Sequence, residues 1–263
     1  MEHLRLCLLQ HDIAWEQIDL NLQQYDAYLQ QIDEPTDIVI LPEMFTTAFT
    51  MQAAPFAETM GGKTTKWLQQ WAKRLDAAMV GSLIMQNEAG QYVNRLLWVM
   101  PDGAVLYYDK RHLFRMGQEN EVYTAGKTDK LLINFRGWVI CPLVCYDLRF
   151  PVWARNRFDQ QAYDVLLYVA NWPQIRQHPW RTLLQARAIE NLCYCVGVNR
   201  CGTDDNGLYH SGNSLISDFQ GKILIEQVDK AALLTYKLSK TTLEQYRTAF
   251  PAWKDADVFS IED

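Results

Sequence analysis

Three residues with complementary chemistry each follow a short apolar run: Glu43 in "IVILPEMFTT", Lys110 in "LYYDKRHLF" and Cys145 in "WVICPLVCYDLRFP". A free thiol has a pKa of ~8.5, so a nucleophilic cysteine needs a base or a positive neighbour at neutral pH. A carboxylate in an apolar pocket can take the thiol proton and return it to a leaving amine. A buried ammonium can hold the oxyanion of a tetrahedral intermediate. Together the three side chains predict acyl transfer to a cysteine without a histidine.

Each residue also has an ordinary interpretation. Cysteine is among the most buried residue types, and an isolated glutamate or lysine usually lies on a solvated loop or surface. We assign the other cysteines of the apolar runs to the core: Cys7, Cys141, Cys193 and Cys195. The catalytic interpretation therefore depends on all three residues reaching one place, at the carboxyl ends of strands.

The apolar runs predict the strands that would bring these residues together. Runs such as "DIVILP", "WVICPLVCY" and "DVLLYVAN" are continuous rather than alternating, which is typical of strands covered on both faces. Helical spacing marks residues 21–32 and 64–75, and a third helix begins near Pro179. "MPDGAVL" and "SDFQGKIL" predict hairpins. The pattern indicates an α/β protein with helices outside, built on two packed sheets or one open sheet.

Composition limits the class of function. The 263 residues predict one domain spanning 1–263, and a net charge of -6 with scattered basic residues disfavours nucleic-acid binding. No apolar stretch is long enough for a membrane span, and the histidines and cysteines lack the spacing of a metal site. The six cysteines do not form the framework of a small secreted protein. We therefore expect a cytoplasmic protein without a metal.

The motifs around the three residues resemble those of the carbon-nitrogen hydrolase (nitrilase) superfamily. "LPEMF" is similar to its glutamate motif, "YDKRHLF" to its lysine motif and "VCYDLRFP" to its cysteine motif, in the family's order, and the similarity covers nearly the whole chain. The resemblance implies a four-layer α-β-β-α sandwich and a homodimer or higher homo-oligomer that associates through helices beside the active site. The C-terminal tail, about 244–263, is a candidate for that interface.

The resemblance also implies a role for each motif residue. Cys145 becomes the nucleophile, Glu43 the general base and Lys110 the oxyanion stabiliser, with the backbone N–H of Tyr146 as second oxyanion donor and no cofactor. Family members carry another glutamate that helps position the substrate. Glu119 and Glu121 both qualify here, and the distance to Gly126 in the sequence favours Glu119.

Within the superfamily the chain is most similar to the omega-amidase branch, which hydrolyses the terminal amide of small dicarboxylic monoamides such as 2-oxoglutaramate. The segment "WPQIRQHPW" departs from the animal enzymes of that branch, so the substrate is less defined than the reaction. The alternatives are an aliphatic amidase, an N-carbamoyl-amine hydrolase or a nitrilase. Two others are an inactive binding subunit and a Cys-His peptidase built on His112, His178 or His210.

Several neighbours of the motifs are candidate substrate-binding residues. Phe114, in the lysine motif, and Trp172, after a strand, could form walls of the pocket, and Tyr146 contributes its backbone. Arg176 could meet a substrate carboxylate through a bidentate pair. The sequence further predicts an ion pair between Asp147 and Arg149, with Asp147 capping a helix over 151–158.

Overall fold

Two β-sheets lie at the centre of the computed structural model, which describes residues 1–158 and 161–261. Within those residues the first sheet contains β1 (His3–Gln10), β2 (Ile38–Ile40), β3 (Ala78–Gln86), β4 (Tyr92–Val99), β5 (Val105–Asp109) and β13 (Ala232–Ser239). The second contains β6 (Ile133–Phe135), β7 (Trp138–Val144), β8 (Val165–Ala170), β9 (Tyr194–Asn199), β10 (Cys201–Thr203), β11 (Tyr209–Ser217) and β12 (Ile223–Val228). Their spatial orders are β13-β1-β2-β3-β4-β5 and β10-β11-β9-β8-β7-β6, with β12 paired to β11.

Helices cover the outer faces of both sheets. The helices of the described residues are α1 (Ile18–Leu29), α2 (Ala53–Phe56), α3 (Lys63–Leu75), α4 (Glu119–Val122), α5 (Pro151–Ala154), α6 (Gln177–Asn191) and α7 (Lys240–Ala249). The apolar faces of α1 and α3 pack on the first sheet, and α6 packs against β9 and β11 of the second. The helices predicted over 21–32 and 64–75 and near Pro179 are confirmed, as are both hairpins, which join β4 to β5 and β11 to β12.

Strand β1 shows how the continuous apolar runs are used. Leu4, Leu6 and Leu8 belong to the core between the two sheets, whereas Cys7 and Leu9 belong to the core beneath α1 and α3. Successive strand residues point to opposite faces, so a strand covered on both sides must be apolar throughout. This burial on two faces confirms the predicted α-β-β-α sandwich and excludes the alternative of one open sheet.

The parallel strands bring their carboxyl ends to the same region. β1, β2 and β3 run parallel in the first sheet, and β7, β8 and β9 run parallel in the second. Glu43 follows β2, Cys145 follows β7 and Asn171 follows β8. The backbone carbonyl of Glu43 accepts a hydrogen bond from the Asn171 side chain, which joins the two sheets at this edge.

The helix predicted over 151–158 is shorter than expected. Helix α5 ends at Ala154, because the backbone of Arg155 is extended. Phe150 occupies the N-cap position without a side-chain cap, so the predicted cap by Asp147 is wrong. The Asp147 carboxylate instead binds groups of β5 and β7 and the segment that follows β5.

The C-terminal segment continues past α7 along the second sheet's side of the protein. Trp253 stacks on Phe158 with ring centroids 5.2 Å apart. Residues 262–263 of the tail predicted at a subunit interface lie outside the described residues. In the part of the chain that the structure describes, no helix combines the length and apolarity that crossing a membrane requires.

Candidate active site

Cys145 occupies a strained turn directly after β7. Its φ of +42° lies in the left-handed region, which is uncommon for a residue with a Cβ atom. The turn continues as a 3₁₀ helix over Cys145–Arg149, and the backbone N–H of Val144 donates to Asp147 Oδ2 at 3.0 Å. Cys145 is buried, with 9% of the residue exposed, and it lines the cavity beside it.

Asp147 connects this turn to the lysine segment. Its Oδ2 also accepts from the Tyr108 hydroxyl at 2.9 Å, and Oδ1 contacts the His112 ring at 2.7 Å and accepts from the His112 backbone at 3.1 Å. The predicted Asp147–Arg149 ion pair is therefore wrong, because these partners occupy the buried carboxylate. The Arg149 guanidinium lies over the Trp172 ring instead, 5.0 Å from its centroid.

Glu43 is fully buried and is fixed through both its backbone and its carboxylate. Oε2 accepts a hydrogen bond from the backbone N–H of Asn171 at 2.8 Å. The loop around it is held to β3, because the N–H of Met44 donates to the Ser82 hydroxyl at 2.9 Å. The carboxylate therefore has one oxygen directed to the second sheet and the other free to meet Lys110.

Lys110 donates to both buried glutamates. Its Nζ lies 2.8 Å from Glu43 Oε1 and 2.9 Å from each carboxylate oxygen of Glu119. Glu119 is fully buried and also accepts from the Phe114 backbone at 2.6 Å, whereas Glu121 is exposed. The structure thus places Glu119, of the two candidates, beside the lysine.

The charges of this cluster set the protonation state of the thiol. Burial is the largest cause that raises the pKa of the Cys145 thiol, followed by the negative charge of Glu43, and the Lys110 ammonium only partly opposes them. Burial alone would lower the pKa of Lys110, but the negative charges of Glu119 and Glu43 outweigh burial, so the pKa of Lys110 is raised overall. The resting site therefore holds a neutral thiol beside a charged ammonium, and the thiol needs a base at the moment of attack.

This arrangement predicts an unusual pH dependence for alkylation of Cys145. Because its pKa is raised, the rate of reaction with iodoacetamide should keep rising above pH ~8.5, where an ordinary thiol levels off. Peptide mapping by mass spectrometry would assign the rate to Cys145. A plateau near or below pH 7 would instead indicate a thiolate stabilised in the resting enzyme, as in a Cys-His pair.

The histidines do not supply that pair. The charged groups that act on the Cys145 thiol are Glu43 and Lys110, and the His112 ring is held by Asp147. His178 is exposed. Burial, reinforced by the charge of Arg200, lowers the pKa of His210 to about 4, so its ring is neutral at neutral pH. The predicted alternative of a Cys-His peptidase has no support in this geometry.

A cavity of about 830 Å³ opens over the thiol. The sequence-predicted residues on its wall are Lys110, Phe114, Cys145, Tyr146, Trp172 and Arg176. The Trp172 indole N–H donates to the Arg176 carbonyl at 2.7 Å, and the Arg176 guanidinium lies 5.2 Å from the Phe114 ring centroid. Glu43 and Glu119 do not line the cavity themselves. Both contact Lys110, which does.

Two residues of the site were not predicted from the sequence. Asn94, on β4, donates to both Glu43 and Glu119, and Asn171 binds both the carboxylate and the backbone of Glu43. The only signal for Asn94 was a polar residue inside the apolar run "YVNRLLWV", and for Asn171 its position at the end of "DVLLYVAN".

Comparison with known proteins identifies the family of the chain. Residues 5–248 match the family model described as carbon-nitrogen hydrolase. The chain is 50% identical to the omega-amidase YafV of Yersinia enterocolitica, over 99% of this chain and 100% of that protein. It is 28% identical to the 2-oxoglutaramate amidase of Bacillus subtilis (strain 168), over 94% and 95% of the two chains.

A solved structure shows the same fold along the whole chain. XC1258 from Xanthomonas campestris, described as a CN-hydrolase superfamily protein with an arsenic adduct in the active site, has 45% sequence identity and a TM-score of 0.97, with 100% of both chains covered. This likeness, together with the family model and the three motifs at the strand ends, shows that the chain belongs to the carbon-nitrogen hydrolase family.

Proposed function

We propose that this protein is an omega-amidase, which hydrolyses the terminal amide of small dicarboxylic monoamides such as 2-oxoglutaramate and releases ammonia. The names of the relatives at 50% and 28% identity support this reaction. The cluster of Glu43, Lys110 and Cys145 supports a cysteine thioester intermediate. The reaction needs no cofactor beyond these side chains and water.

The observation that carries the choice of substrate is a pair of arginines on the cavity wall. Arg149 lies over Trp172 and Arg176 lies over Phe114, and no ion pair joins either guanidinium to a carboxylate of the described residues. An arginine stacked on a ring keeps its N–H edge available for a bidentate carboxylate. The two side chains would hold the substrate's free carboxylate while its amide reaches Cys145.

Acylation begins when Glu43 takes the proton of the Cys145 thiol as the sulfur attacks the amide carbon. Lys110 Nζ and the backbone N–H of Tyr146 bind the oxyanion of the tetrahedral intermediate. Glu43 then gives the proton to the amide nitrogen, the C–N bond breaks and ammonia leaves. Glu119 acts through Lys110, which it holds at 2.9 Å.

Deacylation uses the same base. Glu43 accepts a proton from water, the hydroxide oxygen attacks the thioester carbon, and the oxyanion is bound by the same two donors. Collapse of this intermediate breaks the C–S bond, and the sulfur regains the proton from Glu43. The product is a dicarboxylate, and the enzyme returns to its resting state.

Replacing Arg176 with methionine should separate binding of the carboxylate from chemistry. KM for 2-oxoglutaramate should rise about 10- to 100-fold, since hydrogen bonds to a charged group contribute ~1.5–3 kcal/mol. Turnover of a neutral amide such as butyramide should change little. Ammonia release from both substrates measures the effect, and Arg115→Met, an exposed arginine of the neighbouring segment, is the matched control.

If Arg176→Met lost activity equally on 2-oxoglutaramate and on butyramide, Arg176 would not be the residue that binds the carboxylate. Arg149→Met belongs to the same experiment, because a two-arginine clamp predicts that each single variant loses selectivity for the charged substrate. N-carbamoyl amines and simple nitriles, run as further substrates, would reveal a different carbon-nitrogen hydrolase activity.

We also propose a cytoplasmic homodimer or higher homo-oligomer that binds neither nucleic acid nor membrane. All six cysteines are free and buried, which supports a reducing compartment. Exposed apolar side chains on α5 and α6, Val152 and Ile189, support an interface on the helices beside the active site.

A further inference from the structure

Asn94 lies within β4, where its side chain is fully buried. Its Nδ2 is 2.9 Å from Glu43 Oε1 and 3.2 Å from Glu119 Oε1. An amide nitrogen carries two N–H donors, so one asparagine can bind both carboxylates at once. Lys110 Nζ donates to the same two oxygens at 2.8 and 2.9 Å. Each Oε1 is therefore shared by one charged and one neutral donor.

The cluster needs this second donor because its charges do not balance. Two buried carboxylates share one ammonium, and like charges at this distance favour protonation of one of them. Glu119 shows this tendency, since burial raises its pKa even though Lys110 opposes the change. Replacing Asn94 by a second lysine would neutralise the excess charge, whereas an amide stabilises both carboxylates without altering the net charge.

Asn94 also helps to fix the orientation of the Glu43 carboxylate. With Oε1 occupied by Lys110 and Asn94, Oε2 remains on the side of Asn171, whose backbone N–H lies 2.8 Å away. The Asn94 carbonyl in addition accepts from the Lys110 backbone at 2.9 Å, which fixes the residue that follows β5. A single residue of β4 thus contacts the base, the second glutamate and the lysine.

We propose that Asn94 is a positioning residue that orients the Glu43 carboxylate and stabilises the negative charge of the buried Glu43–Glu119 pair. The inference rests on the proposed role of Glu43 as general base. Asn94 acts through Glu43 and Glu119, since the described residues that line the cavity do not include it. The titratable groups facing these two carboxylates are Lys110, Cys145 and Tyr123.

Asn94→Leu provides the test, because leucine has the same branching and the same number of side-chain heavy atoms but no donor. The variant should lose about 10- to 100-fold in kcat/KM, the loss expected for hydrogen bonds to a charged group. The loss should appear in kcat, with KM within about threefold of the wild type, because no substrate contact changes. The acidic limb of the pH-rate profile should move to higher pH, since loss of a donor disfavours the carboxylate.

A matched control separates positioning from stability. Asn156 is a buried asparagine outside the site, with Nδ2 donating to the carbonyls of Tyr163 and Asn191 at 2.9 and 3.1 Å. Asn156→Leu should lower the thermal midpoint while kcat and the pH-rate profile remain those of the wild type. Equal displacement of the acidic limb in both variants would assign Asn94 a general structural role and overturn the proposal.

A measurement without substrate keeps this inference distinct from the proposed function. Infrared difference spectroscopy across a pH titration detects protonated carboxylic acids in the folded enzyme. In Asn94→Leu, the Glu119 carboxyl, whose pKa burial already raises, should titrate at higher pH than in the wild type, even if 2-oxoglutaramate is not the substrate. If the wild type released no ammonia from 2-oxoglutaramate, the proposed function would be wrong, but the role of Asn94 would still be tested by the infrared titration.

Two further results would overturn the role of Asn94. One is an Asn94→Leu enzyme with wild-type kcat and an unmoved infrared titration. The other is failure of both Asn94→Leu and the milder Asn94→Ser to fold while Asn156→Leu folds, which would assign Asn94 to stability. Asn94→Ser retains one donor, and an intermediate loss of kcat in that variant supports the proposal.

Discussion

Cys145→Ala should reduce amide hydrolysis by about 10⁴- to 10⁶-fold, the loss typical of removing a catalytic nucleophile. In the proposed mechanism this sulfur carries the acyl group, so alanine leaves no covalent route. The strained turn should persist, because Asp147 holds it through Val144, Tyr108 and His112 rather than through the thiol. Ammonia release from 2-oxoglutaramate measures activity, and circular dichroism with thermal melting measures the fold.

Cys141→Ala is the matched control for this prediction. Cys141 lies four residues earlier on β7, is fully buried, and has its pKa raised to about 12 by burial. It lies on the face of the second sheet that α6 covers, together with Leu166 and Cys195, so its loss should lower stability and leave turnover largely intact. Activity retained by Cys145→Ala, or lost only in Cys141→Ala, would remove Cys145 from the reaction.

Glu43→Gln should lower the rate of acylation by about 10²- to 10⁴-fold, the range that general bases contribute. The amide keeps the shape of the side chain but cannot accept the thiol proton. Burial, the largest cause of the raised pKa of Cys145, remains in the variant, so few molecules hold a thiolate. Substrate should still bind, because Arg149 and Arg176 are untouched. Single-turnover kinetics should show binding without an acyl-enzyme burst.

Glu121→Gln is the control, since Glu121 is exposed and lies near Glu119 in sequence. It should behave as the wild type in both binding and burst. A normal burst in Glu43→Gln would mean that another group takes the thiol proton. The assignment of Glu43 as base would then be wrong even if Cys145 is the nucleophile.

The main features of the fold could be predicted because apolar patterning reports burial on two faces. The continuous runs before Glu43 and Cys145 are strands β2 and β7, and strand ends are where loops of neighbouring strands meet. The pattern left open whether the strands form one open sheet or two packed sheets, and the family resemblance favoured the sandwich of two sheets. The end of α5 was missed, because it depends on the extended backbone at Arg155, where "PVWARN" carries no strong stop signal.

The sequence predicted only those site residues that lie in or near the three motifs. An asparagine inside an apolar run has no distinctive spacing, so the contacts of Asn94 with two glutamates depend on tertiary structure alone. The Asp147–Arg149 pair was wrong for the related reason that closeness in sequence does not decide pairing. Tyr108 and His112, more than thirty residues away in the chain, hold Asp147 instead.

The central claim is that Cys145 carries the acyl group of the substrate. Acid quenching of wild-type enzyme during turnover of 2-oxoglutaramate, followed by peptide mapping with mass spectrometry, tests it most directly. We expect a thioester adduct with the mass of the 2-oxoglutaryl group on the peptide that contains Cys145. Steady hydrolysis with no adduct at Cys145 across the quench times, or an adduct on another residue, would contradict it.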